Sequence, residues 1–245
     1  MAKPRITPSV IPNLFTSMNM FCGFLSIINT SQNQYFYAAW LIIVAAIFDA
    51  LDGLVARLTN SASELGIELD SLSDIVSFGT APAFLIYSIH LYQFDVLGIL
   101  ISSVLLIAGG FRLARFNVQL VGFDKKFFKG LPIPTAAIIL TSFILTFYRS
   151  DSGFKSTHSQ FIIPLIILLS ALMVSKIKYD TFPSLSIKGI KEKPAVSIFL
   201  MIASILVIIT KGNALFYIFM FVVLYGVLRH LYYNFKNRKI KKLDS

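Results

Sequence analysis

The length of its apolar runs constrains this chain more than any other feature. A helix needs roughly 20 apolar residues to cross a bilayer core about 30 Å thick. Eight stretches of the sequence qualify, near residues 13–30, 35–57, 70–90, 95–116, 131–148, 159–175, 195–210 and 213–233. Lipid offers the backbone no hydrogen-bond partners, so each stretch must satisfy its own peptide groups as a helix. The sequence therefore predicts an all-α, polytopic integral membrane protein with about eight transmembrane helices, in a single membrane domain over residues 1–245.

Composition excludes the main soluble classes. Hydrophobic residues make up 56% of the chain and charged residues 14%, against roughly 45–50% and 25% in ordinary globular proteins. A single cysteine, Cys22, excludes an intramolecular disulfide and a cysteine-based zinc site. The formal net charge of +10 has no soluble basic domain to carry it. We therefore expect membrane lipids with anionic headgroups, and not nucleic acid, as the partner of these charges.

The basic residues of the loops predict how the helices are oriented. Lys and Arg are retained on the cytoplasmic side of a membrane. With eight spans, only Arg149, Lys155 and Lys211 of the 22 basic residues fall on the other side. Both termini are then cytoplasmic, and this distribution of basic residues suits a prokaryotic plasma membrane. The first apolar run lacks a small-residue cleavage site, so we expect a span there and not a signal peptide.

Acidic residues are concentrated where they are costly. Six of the twelve lie between positions 49 and 74, and Asp49 and Asp52 fall inside the second apolar run. A carboxylate within a span is unfavourable unless it faces water, a cation or a partner. Helical spacing places Asp49 and Asp52 on one face with Gly53 and Ala56, whose small side chains let a ligand approach the backbone.

The next predicted helix repeats this arrangement. Gly66, Asp70 and Asp74 are spaced i, i+4, i+8 and share one face. We therefore expect four carboxylates, those of Asp49, Asp52, Asp70 and Asp74, to converge. They would repel one another unless protonated or bridged by cations, and all-oxygen ligation selects hard ions such as Mg²⁺, Mn²⁺ or Ca²⁺. One or two such ions would in turn bind a phosphate or diphosphate.

These residues form the pattern D-x2-D-G-x2-A-R-x8-G-x3-D-x3-D over positions 49–74. It resembles the signature of the CDP-alcohol phosphatidyltransferases, integral membrane enzymes of phospholipid synthesis. The resemblance implies that Asp49, Asp52 and Asp70 bind divalent metal, Mg²⁺ or Mn²⁺ as two ions, and that Asp74 is the general base and a further ligand. It also implies a site for CDP-diacylglycerol, lined by Asp52, Gly53, Ala56, Arg57, Gly66, Thr16 and Asn19. From the residues alone, Arg57 fits a cytoplasmic anchor equally well, and Thr16 and Asn19 fit hydrogen bonds between helices.

A second segment bears on the acceptor alcohol. Arg112 and Arg115 are three residues apart at the cytoplasmic end of the fourth run, where two guanidiniums can hold a carboxylate or phosphate, or can simply anchor the helix. The motif F-R-L-A-R-F-N at 111–117, with G-L-P-I-P at 130–134, resembles the phosphatidylserine synthase branch of the family. That resemblance implies L-serine as acceptor, held by Arg112 and Arg115 with Asn117 or Lys129 assisting, and a homodimer.

We expect the parts of the chain to have different roles. Residues 1–148 are the catalytic helices, with the signature at 49–74 and the acceptor segment at 109–134. Residues 159–233 are later spans for packing and dimer formation, and 234–245 form a basic cytoplasmic tail. Three alternatives remain at this point: the same chemistry with glycerol 3-phosphate or inositol phosphate as acceptor, a cation transporter that uses the intramembrane acids, and a non-catalytic scaffold.

Overall fold

The computed structural model describes most of the chain. The described residues are 10–59, 61, 63–120, 128–179, 202–203, 205–207, 209–210 and 212–243. The longer helices are α1 (Val10–Ser31), α2 (Tyr35–Leu58), α3 (Glu64–Asp74), α4 (Ala81–Ile89), α5 (Asp95–Leu120), α6 (Ile133–Phe147), α8 (Ile162–Val174) and α9 (Ala214–Leu243), and α7 is the single turn Ser156–Ser159. A π-helical segment, Ile75–Thr80, joins α3 to α4, and a 3₁₀ turn, Leu91–Phe94, precedes α5.

Extended structure is confined to two short antiparallel pairs in the described part of the chain. β1 (Phe128–Lys129) pairs with β4 (Lys178–Tyr179), and β2 (Tyr148–Arg149) pairs with β3 (Gly153–Phe154). The first pair joins the segment before α6 to the segment after α8. The second closes the turn after α6. The predicted all-α architecture is therefore confirmed.

Five helical stretches are long and apolar enough to cross a membrane, and α6 and the first part of α9 are shorter apolar helices. This confirms a polytopic membrane protein. The third predicted run, 70–90, begins earlier in the structure, at Glu64. There α3 starts, and it continues through the π segment into α4. Of the seventh predicted run, 195–210, the structure describes 202–203, 205–207 and 209–210, so the total of eight spans stays a prediction.

The last helix extends beyond its predicted end. α9 continues to Leu243, through most of the predicted basic tail. The sequence from 227 to 245 contains neither glycine nor proline, so nothing in the backbone chemistry ends the helix where the charges begin.

Helix α6 lies at the centre of the bundle. Eleven of its residues are buried, including Ile133, Leu140 and Phe143, and it contacts α2, α8 and α9. Leucine, valine and phenylalanine side chains on the outer faces of α1 and α5 are exposed. An exposed apolar face is what a helix presents to lipid, so these outer faces agree with a membrane environment.

Helix α1 fixes the position of α3 and the π segment. Gly23 lies against Ser77, where a Cβ atom would meet the serine side chain. The Ser77 hydroxyl donates to the Asn19 carbonyl oxygen at 2.9 Å, and the Ser73 hydroxyl donates to the Thr16 carbonyl oxygen at 3.1 Å. Two buried bonds one turn apart set the register between these helices, and with it the depth of the acids on α3.

Candidate functional site

Three carboxylates, one from α2 and two from α3, lie close together. Asp49, Asp70 and Asp74 can each place an oxygen within 4.8 Å of the other two. Asp74 is 6% exposed, and within the described part of the chain one carboxylate oxygen of Asp70 and one of Asp74 are buried without a hydrogen-bond partner. Buried acceptors are normally satisfied, and close carboxylates repel one another. A hard divalent cation bound by these oxygens would satisfy both requirements, so the residues fit the predicted metal.

The fourth predicted acid, Asp52, lies beside this group. It is buried, and its Oδ2 atom accepts a hydrogen bond of 2.8 Å from the Thr16 hydroxyl. Asp52 faces a cavity, together with Asp70 from α3. The structure thus gathers three of the four acids closely and holds the fourth one turn further along α2, through a contact with α1.

The cavity beside the acids occupies about 170 Å³ between α1, α2 and α3. Its lining residues are Pro12, Asn13, Thr16, Asp52, Gly53, Ala56, Ser61, Ser63, Gly66, Ile67 and Asp70. Gly53, Ala56 and Gly66 contribute almost no side chain, which leaves room for a ligand close to the backbone. One end of this space is therefore acidic, and the rest is small or uncharged.

The structure places the other predicted donor-site residues around this cavity in different ways. Thr16 is part of its wall. Arg57 is exposed at the end of α2, and its guanidinium folds back so that Nη1 lies 3.7 Å from where a Cβ on Gly53 would be. Asn19 is deeper in α1, fully buried, and neither polar atom of its carboxamide has a partner among the described residues.

Sequence reasoning missed the serines at the mouth of the cavity. Ser63 is the N-cap of α3, and its hydroxyl oxygen accepts a hydrogen bond of 3.1 Å from the Gly66 N–H. Ser61 lies nearby in the connection from α2. A serine three residues before Gly66 at the start of an amphipathic run is an N-cap signal, and it could have been used to begin the helix at Glu64.

The acceptor segment on α5 brings one arginine to the acids. Arg112 is 7% exposed, and its positive charge lies close enough to act on Asp74 and Asp49. Its guanidinium carbon is 6.0 Å from the ring centroid of Phe116. Arg112 therefore supplies a buried cation near Asp74, the residue that the family resemblance implies as the general base.

Arg115 and Asn117 lie in different places from Arg112. The Arg115 guanidinium donates to the carbonyl oxygens of Met173, Val174 and Ser175 at the end of α8, at 3.3, 2.9 and 3.2 Å. The Asn117 amide donates to the Ser71 hydroxyl at 3.0 Å. The guanidiniums of Arg112 and Arg115 thus have different neighbours, and their shared serine-binding role stays a prediction. The backbone of Lys129 pairs with Lys178, and its side chain lies outside the described part of the structure.

Comparison with known proteins gives a consistent result. The family model for CDP-alcohol phosphatidyltransferase matches residues 9–177. A CDP-diacylglycerol–serine O-phosphatidyltransferase of Helicobacter pylori is 37% identical over 91% of this chain and 92% of its own length. The enzyme of that name in Bacillus subtilis is 36% identical over 70% of this chain and 90% of its own. An archaetidylserine synthase of Methanothermobacter thermautotrophicus is 42% identical over 69% of each chain. The matched range includes the three carboxylates, the cavity and the α5 segment.

Proposed function

The chain belongs to the CDP-alcohol phosphatidyltransferase family, and we propose on that premise that it transfers the phosphatidyl group of CDP-diacylglycerol to L-serine. The products are phosphatidylserine and CMP. The observation that carries the proposal is the close group of Asp49, Asp70 and Asp74 beside a cavity lined by small residues. The names of several relatives over most of the chain point to the same reaction.

The nucleotide part of the donor fits the cavity between α1, α2 and α3. Gly53, Ala56 and Gly66 leave space for it, and the Thr16 hydroxyl holds Asp52 in the wall. The Arg57 guanidinium lies beside Gly53, where it suits a phosphate group. The diphosphate then lies toward the acidic end, and the acyl chains extend into the surrounding lipid.

The acids are the residues that would hold the metal. Asp49, Asp70 and Asp74 form the closest set, and Asp52 adds a carboxylate on the cavity side. Oxygen ligands alone favour Mg²⁺ or Mn²⁺, and four carboxylates are enough for two ions. When bound, the metal neutralises the charge of the diphosphate and of the leaving CMP.

Asp74 takes the proton of the acceptor. The serine hydroxyl oxygen forms a bond to the phosphorus that carries the diacylglycerol, the bond from that phosphorus to the oxygen of CMP breaks, and the hydroxyl proton passes to the Asp74 carboxylate. A base within hydrogen-bond reach of the attacking hydroxyl accelerates such a step by about 10²- to 10⁴-fold. The nearby positive charge of Arg112 favours the ionised Asp74 carboxylate that the proton transfer needs, and it opposes the burial and the neighbouring acids, which disfavour that form.

Arg112 selects the acceptor through its carboxylate group. A buried guanidinium beside the base can hold the carboxylate of serine in a bidentate contact while the hydroxyl faces Asp74. The serine-binding roles expected of Arg115, Asn117 and Lys129 stay predictions. A homodimer, a cytoplasmic active site and a plasma-membrane location complete the proposal, and the loop charges support the orientation.

The deciding experiment uses purified protein in detergent with CDP-diacylglycerol and Mn²⁺. We expect CMP release that depends on L-serine, with phosphatidylserine as the lipid product. CMP release with glycerol 3-phosphate and none with serine would assign a different acceptor. Accumulation of cations in proteoliposomes without CMP release would favour the transporter alternative.

A further inference from the structure

Three polar side chains in the C-terminal part of α5 have three different sets of neighbours. Arg112 is buried, and its charge acts on Asp74 and Asp49, whereas Arg115 donates to the end of α8 and Asn117 donates to α3. The spacing in sequence suggested that these residues surround one ligand. The contacts instead connect two of them to neighbouring helices.

Arg115 caps the carboxyl end of α8. The last carbonyl groups of a helix lack donors from within it and carry a partial negative charge, so a cation there is favourable. The guanidinium has five N–H groups, and it donates to the carbonyl oxygens of Met173, Val174 and Ser175. An Arg115 that turned toward a substrate would leave these carbonyls without that donor.

The segment before α6 packs against the same guanidinium. A Cβ on Gly130 would lie 2.8 Å from Arg115 Nη2, and the φ of +86° at this position favours glycine. The Gly130 N–H donates to the Ile177 carbonyl oxygen at 2.8 Å, and the Leu131 N–H donates to the Leu172 carbonyl oxygen at 3.0 Å. The Arg115 guanidinium thus lies between the backbone at the end of α8 and the backbone of the segment before α6.

Asn117 connects α5 to the helix that carries two of the acids. Its amide donates to the Ser71 hydroxyl at 3.0 Å, and Ser71 also lies 3.4 Å from the Asn117 carbonyl oxygen. Ser71 follows Asp70 directly and precedes Asp74 by three residues, on the same helix. A shift of α5 along or around α3 would break this contact.

We propose that Arg115 and Asn117 are positioning residues, which hold the end of α5 between α8 and α3 and so keep Arg112 beside Asp74. The inference rests on the proposed function and makes it more specific, because the serine carboxylate then meets one arginine and not two. Arg112 is one turn before Arg115 on the same helix. The contacts of Arg115 with α8 and of Asn117 with Ser71 therefore limit how far Arg112 can rotate or move away from α3. On this proposal neither positioning residue touches serine, so it replaces the serine-binding roles that the sequence predicts for Arg115 and Asn117.

The Asn117 contact gives the first test, because its partner can be changed separately. We expect Ser71→Ala and Asn117→Ala each to raise the KM for serine about fivefold, the factor that one lost hydrogen bond gives. The KM for CDP-diacylglycerol stays near the wild-type value, and the double variant is no worse than Asn117→Ala. Ser103→Ala is the matched control, since it removes a hydroxyl that donates to the Leu100 carbonyl oxygen elsewhere on α5.

Two results would overturn the role of Asn117. An effect of Asn117→Ala with none of Ser71→Ala would mean direct contact with serine. Unchanged KM for serine in both variants would mean that the contact does not position Arg112. Wild-type protein that releases no CMP with serine would instead contradict the proposed function, and it is measured first.

A double-mutant cycle tests Arg115. We expect Arg115→Ala to raise the KM for serine in the wild-type background and to add nothing in an Arg112→Ala background, because its effect passes through Arg112. Arg115→Lys, which can still donate to the α8 carbonyls, recovers part of the loss. Effects of Arg112→Ala and Arg115→Ala that multiply would show that both arginines bind serine independently. If Arg115→Ala does not fold, Arg115→Lys replaces it in the same cycle.

Discussion

At the scale of single residues, chemistry and burial separate four aspartates that look alike in the sequence. Asp74 is almost fully buried beside Arg112, whereas Asp52 is held by Thr16 at the cavity wall. The spacing of the acids predicted that they share helix faces. It did not indicate which of them is closest to Arg112, because that depends on how α5 packs on the π segment that follows Asp74.

Replacement of Asp74 by asparagine tests its role as the base. Asn keeps the size of the side chain and cannot accept the proton, so we expect CMP release to fall at least about a hundredfold, while CDP-diacylglycerol still binds. The assay measures CMP release and donor binding in parallel. Glu68→Gln is the control, because it neutralises an exposed acid on the same helix. Full turnover by Asp74→Asn would remove Asp74 as the base.

Metal removal tests the acidic group as a whole. We expect a chelator to abolish CMP release and added Mg²⁺ or Mn²⁺ to restore it, because clustered carboxylates without a cation repel the diphosphate of the donor. The measurement is CMP release against free metal concentration. Undiminished release in excess chelator would contradict a divalent metal at Asp49, Asp70 and Asp74.

Thr16→Val tests the contact that holds Asp52. Valine has nearly the same shape and lacks the hydroxyl, so Asp52 loses a hydrogen bond worth about 1 kcal/mol. We expect the KM for CDP-diacylglycerol to rise about fivefold, with little change in the KM for serine. Ser17→Ala, which removes an exposed hydroxyl from the next residue of α1, is expected to behave as wild type. A rise in the KM for serine alone would place Thr16 on the acceptor side.

At the scale of helices, the local geometry after Asp74 is the feature that hydropathy could not reveal. The π-helical segment Ile75–Thr80 changes the rotation of the chain between α3 and α4, and the Ala81 N–H donates to the Val76 carbonyl oxygen, five residues back. Pro82 follows and has no N–H to donate. Tight packing at Gly23 and the bonds from Ser73 and Ser77 to α1 stabilise this arrangement, and those are contacts between helices.

The N-cap of α3 was readable in the sequence, and its contribution is measurable. We expect Ser63→Ala to lower the free energy of unfolding by about 1 kcal/mol, because the Gly66 N–H loses its acceptor. Ser63→Asp keeps a capping oxygen and should retain most of the stability. Thermal unfolding in detergent measures both variants. Equal loss in Ser63→Ala and Ser63→Asp would contradict the capping role.

At the scale of the whole molecule, the acids and Arg112 meet at one end of the bundle. They come from the last turns of α2, from α3 and from the last part of α5. The loop charges predict that this end is cytoplasmic. The turn around Ser152, after α6, is then on the opposite side.

Cysteine labelling tests this orientation. In a Cys22→Ala background, we expect Ser152→Cys to react with a membrane-impermeant maleimide added to intact cells, and Thr59→Cys to react only after permeabilisation. Both residues are exposed, and they lie beyond opposite ends of the spans. Cys22 is buried, so its removal serves only to keep the labelling specific. The reverse pattern would invert the proposed topology.

The sequence by itself determined the class of fold, the family and the acidic group. Apolar length requires helices in lipid, and fixed spacing on a helix places Asp49 with Asp52 and Asp70 with Asp74, since both depend on local geometry alone. Only the tertiary structure decided that the charge of Arg112 lies near the acids while Arg115 caps α8 and Asn117 binds Ser71. Side chains one turn apart diverge according to the helices that they meet, and those helices are distant in sequence, so the spacing within α5 could not distinguish a ligand from a support.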